Sequence, residues 1–208
     1  MAYIILDIKT VPRPDIMDTW FPAWAESKGI KEENIYGHAA LFPEFGQVVC
    51  IGTKMFDPYK KANDVLGTTD CVGTAPDLEK SLLESFAMTL NASAVNGSRL
   101  VGHNIKGFDV PFLVKRMLAH GIIVPDILVQ GKHLDTMELM KFGGRSNMSL
   151  RAYALLLGLD DPKADSTGSH VYEYLEAGDY DRVQKYCMGD VDATYDVFRA
   201  LYLNGCVC

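Results

Sequence analysis

The 208 residues carry 27 acidic against 20 basic side chains, a formal net charge of −7, and 48% of them are hydrophobic. Such a chain is long and apolar enough for one globular domain over residues 1–208, and its acidity excludes broad nonspecific adhesion to nucleic acid. No run approaches the ~18 consecutive apolar residues of a membrane span, and MAYIILDIKT lacks a basic region ahead of its short apolar run, so a cytoplasmic location is expected.

Tyr3 to Ile8 is almost continuously apolar and is followed by Pro12 and Pro14, which predicts a strand buried on both faces. Gln47 to Phe56 reads as a second strand. Between them lies a loop-rich insertion whose Trp20, Phe21, Trp24 and Tyr36 read as packing groups before base-stacking ones. Asp77 to Leu90 places Leu78, Leu82 and Phe86 at steps of four, a helical face, with Pro76 and Asp77 at its start. Arg99 to Gly102 is a short strand running into His103 and Asn104. Asp109 reads as the N-cap of the next helix, with Pro111 in the first turn and Gly121 as its stop. Leu150 to Leu157 forms another helix, closed by Gly158, and Val183, Cys187, Val191, Tyr195, Phe198 and Tyr202 make the apolar stripe of a last long helix. The order implies an α/β fold, a mixed sheet with helices against it. Five cysteines form neither an even set nor a CxxC pair, which suits reduced thiols.

Three carboxylates stand out. Asp7 ends a buried strand, where a charge is costly unless paired or bound to metal. Asp109 opens a helix after RLVGHN, and Asp190 lies four residues after Tyr186 on one helical face. Taken singly, each reads as a cap or a salt bridge.

Together they resemble the DEDDy 3′–5′ exonucleases of the ribonuclease H-like fold, above all the proofreading domain of family B DNA polymerases and its stand-alone predicted relatives. DIKT at Asp7 to Thr10 takes the place of the usual DIET, GHNIKGFDVPFL at Gly102 to Leu113 matches N-x-x-x-F-D, and Tyr186-x-x-x-Asp190 is the third motif. LDTMEL at Leu134 to Leu139 and the GSHVYEYLEAGDYDRVQKYC approach also agree, and no polymerase domain is expected in this chain. The resemblance implies two divalent ions, Mg²⁺ or Mn²⁺, about 4 Å apart. By that resemblance Asp7 bridges both ions, Asp190 completes the nucleophile-side ion, Asp109 supports the second, and Tyr186 orients the attacking water. Thr10, Asn104 and Phe108 are then substrate-binding positions, although Phe108 reads equally as core. His103 reads as a structural histidine.

Lys9 departs from the pattern. Period two puts it on the same face as Asp7, where the family places a second acidic ligand. An ammonium has only donors and ligates no cation. Unit charges 4 Å apart at an effective dielectric of 20 interact by about 4 kcal/mol, and about 1.4 kcal/mol is tenfold in affinity, so the nucleophile-side ion is expected to be lost or much weakened. Asp192 and Asp196 are rotated about 160° and 120° from Asp190 around the helix, and Glu44 sits in a loop that sequence alone does not place. Three further readings of Lys9 stay open: a fixed cation leaving a one-ion site, a natural variant, or an inactivating change made by design.

The functional expectation is a metal-dependent 3′–5′ exonuclease acting on single-stranded DNA ends and impaired by Lys9, with turnover by this chain left uncertain. The alternatives are an inactive module binding nucleic-acid ends or a replication partner such as a DNA polymerase, and an RNA-trimming exonuclease. Aromatics such as Phe108, Phe112 or those of the Trp20 to Tyr36 insertion are the candidates for stacking on bases, although each taken singly reads first as core packing.

Overall fold

The computed structural model describes residues 2–16, 20–31, 35–93, 97–145, 147–162 and 171–207. The Tyr36 side chain, Gly168 to His170 of the approach to the third motif, and Cys208 lie outside the described residues. Among the described residues a five-stranded sheet runs in the order β3-β2-β1-β4-β5. β1 (Tyr3–Pro12) and β2 (Gly46–Met55) are antiparallel, as are β2 and β3 (Gly67–Cys71). β4 (Arg99–Gly102) and β5 (Leu134–Asp135) continue the sheet parallel to β1, which makes it mixed.

The alternation of β1 sorts its side chains between two helical layers. Ile4, Leu6 and Ile8 pack with Leu82, Leu83 and Phe86 of α3 (Pro76–Ser93) and with Phe112, Leu113 and Met117 of α4 (Asp109–Ala119). Tyr3 and Ile5 meet Val191, Tyr195 and Phe198 of α9 (Tyr180–Leu203), and Val11 meets Tyr186 and Cys187 of the same helix and Val171 and Leu175 of α8 (Val171–Glu176). Asp7 and Lys9 therefore sit in an otherwise apolar row that faces α9. Between Lys9 and Thr10 the register slips, Lys9 opposing Cys50 and Thr10 opposing Val48, a bulge that leaves Val49 without a partner. Val49 and Cys50 thus both join the α9 side.

Gly52 is the register partner of Asp7. A Cβ there would lie 2.9 Å from Cys187 Sγ and 3.0 Å from Val191 Cγ2, so its absence lets α9 settle close to the strand that carries the carboxylate.

Two sequence expectations, the loop-rich insertion and the Leu78 face, are corrected, while the packing aromatics and the helix from Leu150 are found as expected. The insertion between β1 and β2 contains two short helices, α1 (Phe21–Ser27) and α2 (Ile35–Ala39). Its Phe21 is fully buried with Phe45, and Trp24 packs against them. Leu78 is exposed, and the buried face of α3 runs instead through Glu79, Leu82, Leu83 and Phe86. That position suits Glu79 because both its oxygens are filled: Arg116 of α4 donates at 2.9 and 2.6 Å, and Val48 N–H donates at 2.8 Å. The helix over 150–157 is found as α7 (Leu150–Leu156), capped by the Ser149 hydroxyl, with Gly158 at φ +70 ending it.

Candidate active site

β4 stops at Gly102, whereas β1 continues for several residues beyond its last β4-paired residue, Ile5. The backbone N–H groups of β1 beyond that point need other acceptors. Asp109 supplies one: its Oδ1 accepts from Ile8 N at 3.1 Å. This corrects the expected N-cap. Phe108 is the capping residue, with no side-chain cap bond, and Asp109 is the first residue of α4, its carboxylate directed to β1. Burial, and after it the neighbouring Asp7 carboxylate, pushes the Asp109 carboxyl well above the usual range.

The same overhang presents Asp7 and Lys9 to α9. Lys9 Nζ lies 2.9 Å from Asp7 Oδ2 and donates a short hydrogen bond to Asp190 Oδ2. Its ammonium also stands over the Tyr186 ring, 4.1 Å from the centroid, close enough for a cation–π contact. One lysine thus engages two carboxylates and the aromatic face beside them. Burial would draw its pKa down, but Asp7 and Asp190 outweigh burial and hold it well above the ordinary value. Asp7 is raised to about 6, burial and Asp190 together prevailing over Lys9. Tyr186, raised to about 12 chiefly by burial, keeps its phenolic proton at neutral pH. Asp190 Oδ1 is buried without a hydrogen-bond partner among the described residues.

Cys187, which the sequence offers only as part of an apolar stripe, touches the cluster as well. Its Sγ is 3.5 Å from Asp7 Oδ2. Helical spacing alone placed it one residue from Tyr186 and three from Asp190, but nothing in the chain marked it as a neighbour of Asp7.

The second motif surrounds Asp109. Asn104 has φ +62, and its backbone N–H donates to Asp135 Oδ1 at 2.9 Å while Lys106 N–H donates to Oδ2 at 3.2 Å. A Cβ on Gly107 would lie 2.5 Å from Asn104 Oδ1, so the Asn104 carboxamide rests over a residue that has no side chain. Asp135 sits at the C-terminal end of β5 and is a buried positioning residue that sequence reasoning passed over within LDTMEL. His103 bridges outward, its Nε2 3.1 Å from Met148 O and its Nδ1 3.0 Å from Thr136 Oγ1, whose hydroxyl donates to Gly102 O at 3.3 Å. Phe108 is half-buried and packs on Phe112, ring centroids 5.4 Å apart. Phe112 is 1% exposed, which removes it from the stacking candidates. Thr10 Oγ1 donates to Ala40 O at 2.7 Å and anchors the insertion beside the bulge.

The carboxylates considered as replacements for an acid at position 9 are engaged elsewhere. Glu44 pairs with Lys115 at 2.7 Å, Asp192 with the buried Lys54, and Asp196 accepts from Ala62 N at 3.3 Å. Among the described residues no group of three or more His, Cys, Asp or Glu side chains is placed to hold a metal ion. Asp7 and Asp190 each give an oxygen to the Lys9 ammonium instead, so the residues present do not fit a two-ion donor set.

Residues 43–207 match a family described as a predicted 3′–5′ exonuclease related to the exonuclease domain of PolB; the matched span holds Asp109, Tyr186 and Asp190 and begins after Asp7 and Lys9. An uncharacterized protein of Methanocaldococcus jannaschii is 26% identical over 171 residues, covering 77% of this chain and 89% of that one. A solved structure of the family B DNA polymerase of Pyrobaculum calidifontis is similar at a TM-score of 0.67 and 17% identity over 97% of this chain and 24% of the polymerase. The zinc-bound E. coli ExoI–ssDNA complex is similar at a TM-score of 0.54 and 11% identity, over 98% of this chain and 40% of that one. The chain therefore spans about a quarter and two fifths of the lengths of those two solved chains. At such identities the likeness is one of fold, a ribonuclease H-like mixed sheet flanked by helices.

Proposed function

Because the chain belongs to the family of predicted 3′–5′ exonucleases related to the exonuclease domain of PolB, we propose that residues 1–208 act as one exonuclease-like domain that receives the 3′ end of single-stranded DNA at the Asp7, Asp109, Tyr186 and Asp190 cluster, with hydrolysis impaired by Lys9. The observation that carries this reading is the Lys9 ammonium engaged by Asp7 and Asp190 together. In the family arrangement those carboxylates serve a Mg²⁺ or Mn²⁺ ion. Here they neutralise a fixed cation that supplies charge but generates no hydroxide.

The remaining groups support holding an end. The protonated Tyr186 phenol is the group we assign as donor to a phosphate oxygen. Asn104, Phe108 and Thr10 are the positions we assign to the terminal nucleotide, and Phe108, half-buried where Phe112 is buried, is the ring assigned to a base. An end-binding role without turnover is favoured by the same Lys9 contacts.

The test compares this chain with Lys9→Glu on a 3′-labelled single strand, with Mg²⁺ or Mn²⁺ and, separately, with chelator. The expected result is strand binding by this chain in chelator, little nucleotide release, and clear release by Lys9→Glu with metal. If both proteins are folded and neither releases nucleotide, the enzymatic reading fails; absence of binding in chelator removes the end-binding one.

A further inference from the structure

Cys50 of β2 is the direct register partner of Cys71 of β3. Directly opposed residues of an antiparallel pair hold their Cβ atoms about 4.5–5.5 Å apart, and a disulfide needs about 3.5–4.5 Å, so a small approach of one strand closes the gap. Among the described residues β3 is the outer strand of the sheet, paired with β2 alone, so its approach breaks no second ladder. The two side chains share one packing cluster, in which Cys50 and Cys187 are buried and Cys71 packs against them. Cys71 is partly accessible, whereas Cys50 and Cys187 are buried.

An accessible thiol beside a buried second thiol is the arrangement in which oxidation stops at a disulfide. The neighbouring Cys50 thiol also holds the Cys71 thiol below its ordinary pKa, which favours the reactive thiolate.

We propose that Cys71 is a site of reversible oxidation by hydroperoxides, with Cys50 as its resolving thiol. In the first step the Cys71 sulfur attacks the peroxide: the O–O bond breaks, an S–O bond forms, and Cys71 becomes a sulfenic acid as the peroxide is reduced to an alcohol or water. In the second, the Cys50 sulfur displaces that hydroxyl, an S–S bond forms, and the Cys50 proton leaves with the hydroxyl as water. The disulfide draws Cys50 toward the edge and away from Cys187, with which it packs and whose own sulfur lies 3.5 Å from Asp7 Oδ2. The oxidised edge is thereby linked by adjoining contacts to the carboxylate cluster.

The experiment treats the reduced full chain with hydrogen peroxide, blocks remaining thiols by alkylation and maps the peptides. A cross-linked peptide containing Cys50 and Cys71, lost on treatment with dithiothreitol, is the expected product. Cys71→Ser should abolish it, and Cys50→Ser should leave a Cys71 sulfenic acid that dimedone captures. Recovery of Cys50 and Cys71 as separately alkylated thiols, or of Cys71 as sulfinic acid beside an unmodified Cys50, overturns the proposal. The mapping uses the unmutated chain and no nucleic acid, so its outcome is independent of strand binding and of any variant's folding.

Discussion

Replacing Lys9 by methionine keeps the length of the side chain and leaves Asp7 and Asp190 facing each other with no cation between them. Breaking a buried ion pair on one side costs about 3–5 kcal/mol, and the low end applies because 24% of the Asp7 side chain is exposed. Lys9→Met is therefore expected to lower stability by about 3 kcal/mol, read as a lower denaturant midpoint with an unchanged slope. The pH dependence has a definite sign. The lysine pKa is raised on folding, so the stability it contributes is fully present below its ordinary value of 10.5 and is lost as pH rises through the higher folded value. Unfolding followed at alkaline pH should show that loss in the parent chain and not in Lys9→Met. Lys9→Glu adds a third carboxylate to Asp7 and Asp190 and should fall further in chelator, then recover with Mn²⁺. A thermal scan with and without the ion measures this, and an Mn²⁺-insensitive Tm would show that position 9 does not decide ion binding.

The helices and strands set where those residues meet. α9 reaches β1 over Gly52, and Gly52→Ala places a methyl group within 3.0 Å of both Cys187 and Val191. Overpacking of this kind costs about 1–3 kcal/mol, and here it also lifts Tyr186 and Asp190 from Lys9. Weaker strand binding and reduced stability should appear together in Gly52→Ala, whereas Gly29→Ala, with open space at its Cβ but a positive φ, should lose stability alone. On the other side of the sheet, Glu79 ties α3 to α4 and to the start of β2. Burial pushes its carboxyl up, but hydrogen bonds from Arg116 and His120 prevail and hold it below 4.5. Its contribution is present above that ordinary value and is lost as pH falls through the folded one. Glu79→Gln leaves the Arg116 guanidinium buried and should cost about 3–5 kcal/mol at neutral pH, a difference that shrinks in acid unfolding curves.

At the scale of the molecule, a net charge of −7 sets the salt dependence expected of the proposed strand binding. An acidic domain gripping an end through one or two phosphate contacts has a shallow salt dependence, since each contact contributes a slope of about −0.7 for single strands. Affinity for a single strand should fall by less than about tenfold between roughly 50 and 200 mM salt, and a steeper titration would mean a wider basic track. The α/β class, the strand bearing Asp7, the helical pairing of Tyr186 with Asp190 and the shared face of Asp7 and Lys9 are legible in the residues alone, because each follows from a period of two or of 3.6 within one element. The residues also mark Asp109, but as a cap: the orphaned Ile8 N–H that claims its carboxylate belongs to another element. It takes the packed fold to show that Lys9 joins Asp7 to Asp190, a residue 181 positions away, that Cys187 touches Asp7, and that Glu44, Asp192 and Asp196 are engaged elsewhere. Those facts depend on where a bulge, a side-chain-free glycine and the early end of β4 let separate elements approach, and no local periodicity encodes such distances.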